Sequence, residues 1–354
     1  MADGPTTSPT ATSGAARRRT VLITGAGGEI GHGLIDALHA EGGFDIVAMD
    51  LKELDGALRG RCAAAYTGDV TDAGALAKVF ERHGFDVVHH LAALLSSSGE
   101  RNPELAHAVN VQGTLNLLRL SNELARSRGR DVQFIFPSSI AVYGMPGLAA
   151  KSDIGAVHED RCLNPITMYG VNKLACEHLG RYYADHYMRL SPDAPKGRVD
   201  FRCLRFPGII SAHTLPTGGT SDFAPEMIHA AAKGEPYACF VRPDTRIPFM
   251  TMPDAVRSLL TLAAAPKERL TTRVYNVGAF SPSAAEIADL VRAAFPAAEV
   301  SYKVTEARQA IVDSWPASVD DDHARRDWGW APQHDLRAAF SEYLIPTIRK
   351  RYGA

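Results

Sequence analysis

An α/β fold built on a doubly wound parallel sheet, with a smaller C-terminal substrate lobe, is what this chain of 354 residues predicts. Three observations carry that expectation. From Thr20 onward, short apolar runs alternate with stretches of helical period. Most of those runs are apolar throughout, as strands covered on both faces are. A glycine-rich turn joins the first run to the first helix.

The candidate strands are residues 21–24, 44–49, 63–67, 87–91, 132–136 and 199–206, with helices near 30–41, 73–83, 103–127 and 168–187. In the third helix Leu105, Val109, Leu117, Leu120 and Leu124 keep an approximate 3.6 spacing, which reads as one buried face of core residues. Beyond Gly208 the alternation loosens into short elements, among them a capping box at Ser283 with Glu286 that opens a helix to Phe295. The expected organisation is a disordered tail over 1–19, a dinucleotide-binding domain over 20–207, and a region over 208–354. That last region is mainly the substrate lobe and partly packs back on the first domain.

Composition excludes several classes of function. Lys plus Arg number 38 against 40 Asp plus Glu, a formal charge of -2, so no global field holds a nucleic acid. The longest uncharged stretch, 206–221, is interrupted by Pro207, Gly208, Pro216, Gly218 and Gly219, and no membrane-spanning helix is expected. Five scattered cysteines, Cys62, Cys162, Cys176, Cys203 and Cys239, form no Cys-x-x-Cys pair; reduced thiols in a cytoplasmic, metal-free protein are the simplest reading.

The segment Thr24-Gly25-Ala26-Gly27-Gly28-Glu29-Ile30-Gly31 stands where a strand turns into a helix. Glycines at 25, 28 and 31 allow a tight turn, close backbone approach to a pyrophosphate and close helix packing, while the helix N-terminus offers N–H groups to anionic oxygens. Asp50 ends the second strand 19 residues after Gly31, where a carboxylate accepts ribose hydroxyls and repels a 2′-phosphate. NAD is therefore the expected cofactor. An ordinary glycine-rich turn is the plain alternative.

Tyr169 and Lys173 stand at i and i+4 on one helix face. A phenol near pKa 10 is a poor base at neutral pH, but a neighbouring ammonium and an oxidised nicotinamide both favour the phenolate; lowering it by about three units takes about 4 kcal/mol. With eleven tyrosines in the chain the pair alone is unspecific. The run Phe136-Pro137-Ser138-Ser139-Ile140-Ala141-Val142-Tyr143-Gly144, at the C-terminal end of the fifth strand, adds Ser139 as a donor to a substrate oxygen. Ser139, Tyr169 and Lys173 make a proton-transfer set for oxidising an alcohol, although Ser139 could equally cap local backbone.

Together with Asp69-Val70, His90-Leu91-Ala92-Ala93 and Asn110, these motifs resemble the extended short-chain dehydrogenase/reductase superfamily, over about residues 20–345. The resemblance implies a Rossmann fold and hydride transfer with Tyr169 as acid/base. The cofactor contacts it implies are Gly25, Gly28, Glu29, Ile30, Gly31, Asp50, Asp69, Val70, Leu91, Ala92, Ala93, Asn110, Tyr169, Lys173 and Pro207. Three further stretches, from His90 to Pro103, from Arg205 to Asp222, and Arg308-Gln-Ala-Ile-Val-Asp-Ser-Trp-Pro316 leading to Trp330, resemble the short-chain type of L-threonine 3-dehydrogenase.

In that family the substrate residues are Ser96, Ser139, Thr220, Asp222 and Trp315. The chemistry is consistent: an ammonium calls for a carboxylate, and a carboxylate for hydroxyl donors. Plain roles also exist, with Ser96 and Asp222 capping helices and Trp315 in a lobe core. The chain departs from the family at Ile166, at His107, and in longer segments over 144–165 and 189–198. A homodimer through the helices at 103–127 and 168–187 is implied.

Two other readings stay open. A nucleotide-sugar epimerase or dehydratase shares the fold, cofactor and Ser/Tyr/Lys set, and Arg242, Arg246 and Arg273 could face a diphosphate. A dinucleotide-sensing regulator needs the fold without the chemistry.

Overall fold

A computed structural model describes residues 17–191, 196–216 and 218–353. Thirteen strands are present in it. Seven form one parallel sheet: β1 (Arg19–Thr24), β2 (Phe44–Asp50), β3 (Ala64–Thr67), β4 (Val87–His90), β5 (Val132–Ser139), β7 (Val199–Phe206) and β11 (Val274–Asn276), in the order β11-β7-β5-β4-β1-β2-β3. The remaining six pair in twos, all parallel: β6 (Ala156–Val157) with β13 (Ser318–Val319), β8 (Gly208–Ile210) with β10 (Phe249–Thr251), and β9 (Tyr237–Cys239) with β12 (Val300–Tyr302).

Period-2 alternation along the strands divides the core into two layers. Leu22, Val47, Val88, Phe134 and Phe201 face the helices Ala73–Arg82, Gly113–Arg128 and Met168–Arg181. Val21, Ile23, Ile46, Ile135 and Leu204 face the helices Glu29–Glu41 and Met252–Ala264. With both faces covered, the strands are apolar at most positions, and the buried polar residues they carry, such as His90, Arg202 and Arg205, are hydrogen-bonded. A third cluster, around Phe223, Phe240, Phe249, Ile287, Trp315 and Phe340, is the core of the second lobe. The order reverses between β1 and β4, so the crevice beyond their C-terminal ends is the place where such sheets bind ligands.

Several expectations change in detail. Of the tail, residues 1–16 lie outside the described residues, as do 192–195 of the second long loop. Arg17 and Arg18 are held by Asp86 and Asp45 at 3.1 and 2.6 Å, and Arg19 already pairs with Phe44 in β1, so ordered chain begins earlier than 20. The sheet also takes its seventh strand from beyond residue 207: β11 pairs with β7 through Val274↔Cys203, Tyr275↔Leu204 and Asn276↔Arg205.

The third helix is broken rather than continuous, into Pro103–His107, a π-helical turn Ala108–Gln112 and Gly113–Arg128. Leu105 is 48% exposed and is not core. The buried row at that end is Ala106, Asn110, Gly113 and Thr114. Small residues allow close approach there, and the polar ones bond the end of β4 and the loop that follows it: Thr114 Oγ1 to His90 Nε2 at 3.0 Å, Asn110 to the Leu94 backbone.

Candidate active site

The glycine-rich turn follows β1 as expected. Gly25 has φ +67°, and a Cβ there would stand 2.6 Å from the Ala92 nitrogen; at Gly31 it would meet the Ala26 carbonyl oxygen at 2.5 Å. Only glycine fits at either position. Gly28 precedes the helix Glu29–Glu41 without any side-chain cap, which leaves the first turn's N–H groups for an anionic ligand. Asp50 lies beside the turn: its Oδ2 accepts from Gly27 N–H at 2.9 Å and its Oδ1 from Lys52 N–H at 3.1 Å. Each oxygen keeps a lone pair for a hydroxyl donor.

Leu91, Ala92 and Ala93 follow β4 across from this turn, Leu91 N–H donating to Thr24 O at 3.0 Å. Asp69 and Val70 follow β3; Asp69 Oδ1 accepts from Thr71 N–H at 2.8 Å, and Val70 is buried where a Cβ on Gly113 would come within 2.7 Å of it. Ile30 is half-buried in the first helical turn, and Pro207 is the buried residue that follows β7. The residues thus fit a dinucleotide: a backbone cradle that side chains would fill, uncapped N–H donors, and a carboxylate alongside. Asn110 differs from the other expected contacts. Its Oδ1 accepts from Leu94 N–H at 2.8 Å and its Nδ2 donates to Leu94 O at 3.0 Å, so it anchors the loop that carries Leu91–Ala93.

Ser139 is the last residue of β5, which reaches three residues further than the sequence suggested. Tyr169 and Lys173 sit in the first turns of Met168–Arg181, whose start is doubly capped: Thr167 Oγ1 accepts from Gly170 N–H at 3.1 Å, and Glu100 Oε1 from Met168 N–H at 2.7 Å. The Tyr169 hydroxyl is hydrogen-bonded to Ser139. Ser139 Oγ also accepts from Ala141 N–H at 3.2 Å, so it caps local backbone and meets the tyrosine together.

Burial pushes Tyr169 up to about 12, with the Ser139 hydrogen bond opposing it. Burial likewise pulls Lys173 down to about 8. The Lys173 ammonium donates to Pro137 O at 2.7 Å and lies 5.6 Å from the Tyr169 ring centroid. The phenol is therefore protonated in the protein without its ligands. The expected lowering draws on Lys173 and an oxidised nicotinamide together, and desolvation of the phenolate opposes it.

Among the expected substrate residues, Ser96 and Thr220 meet, Oγ to Oγ1 at 3.3 Å. The helix Ser96–Arg101 lies against the helix Met168–Arg181, since a Cβ on Gly99 would be 3.9 Å from Tyr169 Cβ. Ser96 opens that helix without capping it. Asp222 stands at the N-cap position of Phe223–Lys233, yet its Oδ2 turns back to accept from Gly219 N–H at 2.6 Å. Trp315 is 6% exposed and belongs to the same buried cluster as Ile140, Val142 and Tyr143, just past Ser139. Arg242, Arg246 and Arg273 are engaged by Asp313, Glu286 and Asp185.

One feature behind the site was missed. Glu177 and Arg205, both fully buried, pair through two hydrogen bonds of 2.8 and 2.6 Å; Ser138 Oγ donates to Glu177 at 2.6 Å, and Arg205 donates to Tyr143 Oη at 2.8 Å. Tyr143 donates onward to Asn276 Oδ1 at 2.7 Å. This network ties β5 and the helix Met168–Arg181 to β11. Its signals in the sequence were an arginine inside an apolar strand and a glutamate one turn beyond Lys173.

A parallel sheet with a glycine cradle at its reversal point, and a Ser/Tyr/Lys set at the neighbouring strand end, defines a dinucleotide-dependent short-chain dehydrogenase/reductase of the extended type. The model of the NAD dependent epimerase/dehydratase family matches residues 21–278, and the chain belongs to that family. NAD is thereby its cofactor. A bovine mitochondrial L-threonine 3-dehydrogenase is 36% identical over 341 residues, covering 96% of this chain and 84% of the relative. The structure is similar to a GalE-like L-threonine dehydrogenase from Cupriavidus necator in its holo form, with TM-score 0.80, 35% identity, and 94% and 99% of the two chains covered. It is also similar to a monomeric L-threonine 3-dehydrogenase from a metagenome, with TM-score 0.79, 36% identity, and 93% and 99% covered.

Proposed function

We propose that this protein oxidises L-threonine at C3 to 2-amino-3-oxobutyrate. The observation that carries the reading is the convergence of Ser139, Tyr169 and Lys173 at the end of β5 in a chain similar throughout its length to threonine dehydrogenases. NAD, when bound, supplies the hydride acceptor. Ser139 donates a hydrogen bond to the substrate 3-oxygen and orients the carbinol. Tyr169, as phenolate, takes the hydroxyl proton, and Lys173 supplies positive charge near it. Gly25, Gly28, Glu29, Ile30, Gly31, Asp50, Asp69, Val70, Leu91, Ala92, Ala93 and Pro207 form the cofactor wall, with Asn110 anchoring it. Ser96 and Thr220 receive the substrate carboxylate, Asp222 its ammonium, and Trp315 covers them.

The division at 207 is functional in this reading: residues 20–207 with β11 hold the cofactor, and most of 208–354 encloses the substrate. The epimerase alternative loses ground because Arg242, Arg246 and Arg273 are each paired with carboxylates. NADH formation followed at 340 nm with L-threonine and, separately, conversion of UDP-glucose to an epimerised or dehydrated sugar followed by chromatography test the choice; turnover of the sugar without threonine oxidation refutes it.

A degradative role for threonine follows, in the cytoplasm, where five free thiols are at home; the bovine relative bears a mitochondrial name, and fractionation of cells decides the matter. A homodimer is supported by Leu105, Val171 and Tyr182, which expose 48, 46 and 46% of their surface on the two long helical segments. Light scattering distinguishes it from a monomer like the metagenomic enzyme.

A further inference from the structure

The segment between the two catalytic elements leaves Ser139 and returns at Thr167, the cap of the Tyr169 helix. On its way it crosses the second lobe and holds the stretch around Trp315 at three points. Met145 N–H donates to Ser314 O at 2.8 Å. Lys151, on the helix Leu148–Ile154, donates from Nζ to Val312 O at 3.0 Å. Further along, β6 pairs with β13, and Asp320 N–H donates to Val157 O at 2.9 Å. These contacts bracket Trp315 on both sides.

Lys151 is the unusual member of this strap. It is 6% exposed, on a helix that is otherwise partly solvated. Val312 lies in the last turn of the helix Glu306–Asp313, and its carbonyl also accepts from Trp315 N–H at 3.2 Å. A buried ammonium there is a second donor to the carbonyl that Trp315 holds and favours the negative end of the helix. Burial draws Lys151 down to about 8, and the charged groups that face it are Asp313, Arg242 and Asp244. Arg242 holds Asp313 through two bonds of 2.9 Å, so the helix end is fastened from two directions.

We propose that the strap 144–157, through Lys151, is a positioning device that sets where Trp315 stands and thereby how tightly the amino-acid substrate is enclosed. The idea rests on the placement of Trp315 over the substrate under Proposed function. Lys151 itself acts through the Val312–Trp315 backbone and does not touch the substrate.

The test compares wild type, Lys151→Met, Trp315→Phe and the double variant. Lys151→Met is expected to raise the KM for L-threonine about five- to tenfold with the KM for NAD unchanged. In the Trp315→Phe background the same change should have less than about a twofold effect, because both alter one element. Acrylamide quenching of Trp315, taken as the difference between each protein and its Trp315→Phe counterpart, should rise in Lys151→Met without any substrate present. If Lys151→Met fails to fold, Lys151→Gln keeps a donor to Val312 and should show the same pattern at smaller size. Equal effects of Lys151→Met in both backgrounds, or unchanged quenching in the folded variant, overturn the proposal. Increased quenching in a protein that leaves threonine untouched upholds the strap and refutes only the substrate.

Discussion

Replacing Ser139 with alanine removes the one hydrogen bond that opposes the rise of Tyr169 to about 12. A hydrogen bond to a charged group contributes about 1.5–3 kcal/mol, equivalent to about one to two pH units for the phenol. A phenol works as a base only when ionised, so with Tyr169 in the proposed role activity should rise with pH until the phenol has lost its proton. Raising its pKa moves that rising limb to higher pH, and each unit lowers the rate on the limb about tenfold. Ser139→Ala should therefore shift the limb of the kcat/KM profile for L-threonine, which reports the protein before substrate binds, up by about one to two units. A further pH-independent loss reflects the missing contact to the substrate oxygen. The assay is initial-rate NADH absorbance between about pH 6 and 10.5, with Ser139→Thr as a control that retains the hydroxyl. Because Ser139 also caps Ala141 at 3.2 Å, thermal unfolding of each variant confirms an intact strand end. A uniform loss of rate with an unmoved limb would refute the idea that Ser139 tunes the phenol.

Other outcomes follow from the same geometry. Asp222→Ala should raise the KM for L-threonine at least tenfold, as loss of a charged contact implies, and leave that for NAD unchanged; a change confined to NAD would assign it elsewhere. Glu177→Gln leaves Arg205 buried beside a neutral partner, and should cost about 3–5 kcal/mol of stability, read as a lowered Tm. An unchanged Tm would mean the pair is dispensable. Asp50→Ser removes the carboxylate beside Gly27 and should narrow the preference for NAD over NADP in kcat/KM, whereas an unaltered ratio would separate Asp50 from the ribose.

The cofactor turn was legible because its determinants are local: the strand, the glycines and the following helix lie within a dozen residues. Ser139, Tyr169 and Lys173 were legible for the same reason, each lying in a short motif. β11 was not, since Val274–Asn276 offers only three residues and finds its partner about 70 residues away in β7. The exposure of Leu105 was hidden because leucines keep the helical spacing while polar groups at Asn110 and Thr114, one face over, make the bonds that orient the helix. The Glu177–Arg205 pair joins a helix to a strand 28 residues on, and charge in an apolar run does not disclose its partner.

The central claim is that C3 of L-threonine loses hydride at this site, and isotope transfer tests it most directly. With L-threonine deuterated at C3 and NAD, mass spectrometry should find deuterium in the reduced cofactor and a primary isotope effect on single-turnover rates, both abolished by Tyr169→Phe. Deuterium retained in unchanged threonine, with no reduced cofactor formed by the NAD-bound wild-type protein, would contradict it.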